Sequence, residues 1–93
     1  MAFRWSEEKN RILKIQRGVS FERIVTATEE GGLVDVLEHP NPERYGGQLI
    51  LVVKVAEYAY CVPCVLDADG SFFLKTLYPS RKYTRLHGFG GAI

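Results

Sequence analysis

Gln48-Leu49-Ile50-Leu51-Val52-Val53-Lys54-Val55-Ala56-Glu57-Tyr58-Ala59-Tyr60-Cys61-Val62-Pro63-Cys64-Val65-Leu66 is the stretch that decides the fold. From Gln48 to Val55 apolar residues fall at odd and even positions alike, which suits a central strand buried on both faces. Ala56-Glu57 is a tight turn, and Tyr58 to Leu66 returns as a second strand. Pro63 has no N–H to give to a ladder, so this strand needs an edge, a bulge or a local kink at that point.

Asp67-Ala68-Asp69-Gly70 is a turn signal, and Ser71 to Tyr78 follows as the last strand. On plain alternation Leu74, Thr76 and Tyr78 share one face, while Phe73, Lys75 and Leu77 share the other. Lys75 is then a cation inside an apolar strand, a costly position unless its ammonium meets an anion or reaches water. Pro79 stops the strand and Ser80 caps a closing helical turn to His87, which carries Arg81, Lys82 and Arg85. Gly88 to Ile93 is a loose tail.

Toward the N-terminus, Phe3-Arg4-Trp5 is a short edge strand. Ser6 caps a helix that opens with Glu7 and Glu8 and runs to Arg17, with Gly18 as a left-handed stop. Its apolar positions are Ile12, Leu13 and Ile15; Lys9, Arg11, Lys14 and Arg17 make it basic elsewhere. Ser20 caps a second helix, with Val19 and Ile24 placed as a hydrophobic staple and Phe21, Ile24, Val25 and Thr28 on one face. Gly31-Gly32 ends it, and Leu33 to Glu38 is a strand with Val34 and Val36 pointing one way. His39 to Gly47 is a loop by composition. The order predicts an α+β domain spanning residues 1–93: two N-terminal helices packed on one face of a four- to five-stranded, mainly antiparallel sheet.

Composition narrows the function classes. The chain has 93 residues, 46% of them hydrophobic, and a formal net charge of +1. It is therefore a foldable single domain without a bulk field for nucleic acid, and any such site must be a local patch. There is no signal-peptide pattern and no run near the ~18 apolar residues of a membrane span. Cys61 and Cys64 are too close in sequence to staple a long loop, and a cytoplasmic location is expected. Three apart on a strand, they point to opposite faces, and only His39 and His87 are available as further imidazole ligands. No metal and no cofactor are expected.

Phe3-Arg4-Trp5-Ser6-Glu7-Glu8-Lys9-Asn10, Arg17-Gly18-Val19-Ser20-Phe21-Glu22 and Lys75-Thr76-Leu77-Tyr78-Pro79-Ser80-Arg81-Lys82, in that order, resemble the BrnT-type toxins of bacterial toxin–antitoxin pairs. The resemblance covers most of residues 3–83. It implies a RelE-like fold and an endoribonuclease that cuts mRNA and inhibits translation. It also implies a protein antitoxin as partner, in a toxin–antitoxin hetero-oligomer, and RNA, free or on the ribosome, as substrate.

The residues themselves can be matched to such chemistry. Metal-free RNA cleavage by the neighbouring 2′-OH needs a base, an acid, and cations for the phosphorane charge. Lys75 and Arg81 are candidates for charge stabilisation, and Tyr78 and His39 for proton transfer. Lys82 and Arg85 are candidates for flanking phosphates, with Lys14 and Arg17 on the first helix beside them. Tyr83, with Tyr45 and Tyr60, is a candidate platform for an unpaired base. Plainer roles compete: a snorkelling Lys75, solvated basic faces, a turn histidine, tyrosines that belong to the core. Two other functions fit the same sequence. One is a non-catalytic protein- or nucleic-acid-binding module on the same fold. The other is a small ligand-binding protein, which requires an enclosed apolar pocket.

Overall fold

The computed structural model describes residues 2–38, 41, 43–44 and 46–88. His39, Tyr45 and the tail from Phe89 to Ile93, all named above, lie outside the described residues. The elements run β1 (Phe3–Trp5), α1 (Glu7–Arg17), α2 (Phe21–Glu29), β2 (Leu33–Glu38), β3 (Gln48–Val55), β4 (Tyr58–Leu66), β5 (Phe72–Leu74), β6 (Tyr78–Pro79) and α3 (Arg81–Leu86). The domain is α+β, with a six-stranded sheet in the order β1-β5-β4-β3-β2 and β6 paired to β4. All pairings are antiparallel except β1 with β5. The expected four or five strands become six because the last one is split, as described below. β1 and β2 lie at opposite ends of the sheet order, so α1 and α2 carry the chain from one end to the other.

Local signals set the helix ends. The Ser6 hydroxyl accepts from Lys9 N–H and the Ser20 hydroxyl from Arg23 N–H, each filling an orphan donor of the first turn. Gly18 closes α1 in the left-handed region at φ 71°. Gly32 answers to a different constraint, close backbone approach. A Cβ there would sit 2.7 Å from the Ala27 carbonyl oxygen and 2.8 Å from that of Lys54.

The core joins Leu13 of α1 and Phe21, Ile24 and Ala27 of α2 to Leu51, Val53 and Val55 of β3. Val62 and Cys64 of β4, Leu74 and Leu77 complete it. Alternate residues of β3 and β4 thus face this core, while Val52, Ala59 and Cys61 are buried on the opposite face. The two cysteines do point to opposite faces, free and buried.

Several side chains depart from the helical patterns. Ile15 is 81% exposed and Ile12 38%, so Leu13 alone of the three anchors α1 in the core. Ala27 takes the core position expected of Thr28, whose hydroxyl instead donates to the Val25 carbonyl. Asn10 is buried, and its amide ties the helix corner. Oδ1 accepts from Phe21 N–H at 2.8 Å, and Nδ2 donates to Glu22 Oε1 at 2.7 Å. In β2, Leu33 faces Val53 while Asp35 faces Val52, so Val34 is an extra residue. This bulge breaks the expected Val34/Val36 alternation and leaves Val36 on the face of Leu51.

Asn10→Leu should destabilise the fold by about 1–3 kcal/mol, because the Phe21 N–H is then buried without an acceptor. The Asn10 amide also holds the Glu22 carboxyl below its ordinary value. A depressed carboxyl contributes stability above its unfolded-state value and loses it as pH falls through the folded-state value. Denaturant titrations should therefore show the gap between native protein and Asn10→Leu narrowing in the acid range. Gly32→Ala should lower the melting temperature more than Gly18→Ala, because its Cβ meets two fixed backbone oxygens where that of Gly18 meets nothing within 4 Å.

Candidate functional site

The site is built on an irregularity opposite Pro63. Cys64 faces Leu74 and Cys61 faces Tyr78, so three steps along β4 are matched by four along its partner. One residue is therefore extra, and the strand expected over Ser71 to Tyr78 divides into β5 and β6. Carrying the β5 register one step on sets Lys75 against Pro63, and Lys75 N–H donates to the Pro63 carbonyl at 2.9 Å. Carrying the β6 register one step back sets Leu77 against Val62, and both belong to the core. Thr76 is left as the extra residue.

Pro63 explains where the break falls. A strand residue directs its N–H and C=O to the same neighbour. The Pro63 carbonyl receives Lys75, so its ring nitrogen faces that side too and has no proton to offer. The ladder loses a rung there, and the expected bulge falls on the partner strand. β4 itself pairs with β3 without interruption, Ile50 facing Pro63.

This overturns the simple alternation. Leu74 and Leu77 both enter the core, whereas alternation places them on opposite faces. Lys75, in register with Pro63, and Tyr78, in register with Cys61, come to one face, the face away from the core. Lys75 is also exposed rather than enclosed in an apolar strand, so its ammonium reaches water and requires no anion for stability.

β6 leads directly into α3. The Ser80 hydroxyl caps the helix by accepting from Tyr83 N–H at 3.1 Å, as its position predicts. Arg81, Lys82 and Arg85 are all exposed. Lys82 Nζ lies 5.3 Å from the centre of the Tyr83 ring, and Tyr83 stacks on His87 with ring centres 6.4 Å apart. A cleft of about 460 Å³ beside Lys82, Arg85 and Leu86 opens to solvent, with Leu86 67% exposed. A second cleft, of about 230 Å³, is lined by Arg23, Glu30, Lys54 and neighbouring backbone, and it too is open.

Cys61 underlies this group. Burial pushes its thiol up, against smaller opposing effects of hydrogen bonds with Ser80 and Tyr78 and of the Lys82 charge. Burial also raises the Tyr78 phenol, aided by Cys61 and Tyr83. The raised phenol keeps its proton at neutral pH, and Tyr78, 37% exposed, remains reachable. Cys64, on the core side, is pushed up to about 11 by burial alone. Among the described residues, no group of three or more His, Cys, Asp or Glu could hold a metal ion.

Of the other residues singled out in the sequence, Lys14, Arg17 and Tyr60 do not join the group. Lys14 and Arg17 occupy the last turn of α1, where the Lys14 charge acts on Glu22. Tyr60 packs against the core and meets Tyr58 edge-on at 6.2 Å, a wall position rather than a base platform. His39 and Tyr45 lie outside the described residues.

Two contributors have no obvious mark in the sequence. Cys61 sits beneath Tyr78 because of the strand register. Thr84 is buried in α3, where its hydroxyl accepts from Ala59 N–H at 2.8 Å and donates to the Ser80 carbonyl at 2.7 Å. Ser80 N–H in turn donates to the Ala59 carbonyl at 2.8 Å. The start of α3 thus satisfies the edge of β4 where β6 ends. A threonine four residues after a capping serine is a weak local hint, but its partner lies 25 residues back.

No family model, curated protein or solved structure matches the chain. No helix among the described residues is long and apolar enough to cross a membrane.

Thr84→Val keeps the shape but leaves the Ala59 N–H without its acceptor. Urea denaturation should show a loss of about 1–3 kcal/mol, most of it recovered in Thr84→Ser.

Proposed function

We propose that this protein is a metal-independent endoribonuclease of the BrnT toxin type. In this reading the fold is RelE-like, with α1 and α2 packed on one face of the sheet, and a protein antitoxin holds the enzyme inactive in the cell. One observation carries the chemistry. The extra residue at Thr76 sets Lys75 and Tyr78 on a common face, where the chain enters the helix bearing Arg81, Lys82 and Arg85. The sequence resemblance supplies the reaction class.

The 2′-oxygen of the substrate attacks the adjacent phosphorus and forms a 2′,3′-cyclic phosphate, while the bond from phosphorus to the 5′-oxygen breaks. Lys75 and Arg81 stabilise the negative charge that builds on the phosphorane oxygens. Tyr78, protonated at neutral pH, gives its proton to the departing 5′-oxygen. The proton of the 2′-OH passes to a base, for which the sequence offers His39. Lys82 and Arg85 hold flanking phosphates, and Tyr83 offers its ring to a base.

Incubation of purified protein with single-stranded RNA in EDTA tests the reading. Cleavage should survive the chelator and vanish in the Lys75→Ala, Arg81→Ala double variant. Tyr78→Phe should slow cleavage by roughly 100-fold or more, the range for loss of a general acid. On the alkaline side the native enzyme should lose activity as pH rises through the raised value of the phenol, and Tyr78→Phe should lack that limb. Cleavage unchanged in the double variant would move the site elsewhere. RNA binding without cleavage would replace the enzyme with the non-catalytic binding module.

A further inference from the structure

We infer that the free edge of β2 is a docking strand for an extended, cationic segment of a partner protein. Nothing in this inference depends on the ribonuclease reading. β2 is the six-residue terminal strand of the sheet and, among the described residues, pairs only with β3. Lys54 N–H donates to the Gly32 carbonyl, so even-numbered residues of β3 direct their backbone toward β2. Their counterparts on β2 are Asp35, facing Val52, and Leu37, facing Ile50. Val36 and Glu38, which face Leu51 and Leu49, therefore direct their N–H and C=O outward. Such a row is a template for an added strand.

Two observations specify the occupant. The first is charge. Between Ile24 and Glu43 the chain carries Glu29, Glu30, Asp35, Glu38 and Glu43 and neither lysine nor arginine. The nearest cation on the adjoining strand, Lys54, stands 3.5 Å from Glu57. Pairing of β2 with a second copy of itself would set acidic strand against acidic strand, so self-association is disfavoured. A basic strand meets the opposite field. The second observation is the state of the edge. The outward Val36 N–H is covered by its own neighbour, donating to Asp35 Oδ1 at 2.8 Å. Asp35 holds the place that an incoming carbonyl would take. Displacing the carboxylate frees it to meet a lysine or arginine of the added strand, while Val36, 48% exposed, offers an apolar contact.

The experiment uses the full chain, labelled with ¹⁵N, and capped six-residue peptides. The first is Lys-Val-Lys-Val-Lys-Val, the second Glu-Val-Glu-Val-Glu-Val. The third is the lysine peptide with alternate backbone nitrogens methylated. The lysine peptide should shift the amide signals of Leu33 to Glu38 and leave those of α3 in place. The glutamate and methylated peptides should bind at least roughly tenfold more weakly. Asp35→Asn with Glu38→Gln should weaken the lysine peptide by roughly fivefold, the scale of exposed charge pairs. Val36→Pro removes an outward N–H without touching the bonds to β3 and should abolish binding. Equal binding of the methylated peptide would reduce the effect to diffuse charge attraction and overturn the proposal. So would shifts that avoid β2, or a native protein already dimeric through β2.

Discussion

A proline in a central strand sets the terms for the C-terminal half of this molecule. Pro63 keeps its place in the pairing with β3, so the hairpin that holds the core is intact. What Pro63 cannot do is donate to the other neighbour. The strand on that side breaks at the same level, takes in one extra residue, and resumes two residues long before entering α3. The core gains from the break, since Leu74 and Leu77 both turn inward. The outer face gains from it too, since a lysine and a tyrosine that plain alternation would separate come to the same side.

The rest of the C-terminal segment is held by economical means. Past Tyr60 no strand among the described residues covers that edge of β4, yet neither backbone group of Ala59 is stranded. Ser80 N–H meets its carbonyl and the Thr84 hydroxyl meets its N–H. Asn10 plays a similar part at the α1–α2 corner, where one amide side chain serves the first turn of the next helix and a carboxylate beside it. In both places a short polar side chain replaces the backbone partner that the topology does not supply.

Much of the fold is legible in the sequence because much of it is local. Ser6, Ser20 and Ser80 cap helices where their positions say they should, and Gly18, Ala56-Glu57 and Asp67 to Gly70 close helix and turns as read. These signals act within four residues. The misreadings arise where the answer depends on a distant partner. Nothing in the type of either extra residue, Val34 or Thr76, marks it as extra, because a bulge is defined only by the strand opposite. Ile12 and Ile15 have helical spacing but face outward, leaving Leu13 as the apolar residue of α1 in the core. Lys75 was legible as an anomaly, for the wrong reason: it lies in the gap between two strands, not within one. The cations of α3 were legible as a cluster, but the thiol beneath Tyr78 depends on register and was not.

The Thr76 insertion bears on how such a face can change over generations. Side-chain direction along a strand is a matter of parity, so point substitutions alter what a position carries but not which way it looks. Loss of the Thr76 codon would nonetheless leave the face as it is. It would bring Lys75 and Tyr78 two positions apart, which plain alternation keeps on one side, and Leu74 and Leu77 would both still turn inward. The same step in reverse, in an ancestor with an unbroken strand, would have been taken up as a bulge opposite Pro63, where the ladder already lacks a rung. Length variation of one residue at this point is therefore absorbed, and residue identity at 75 and 78 separates descendants that keep the pair from those that do not.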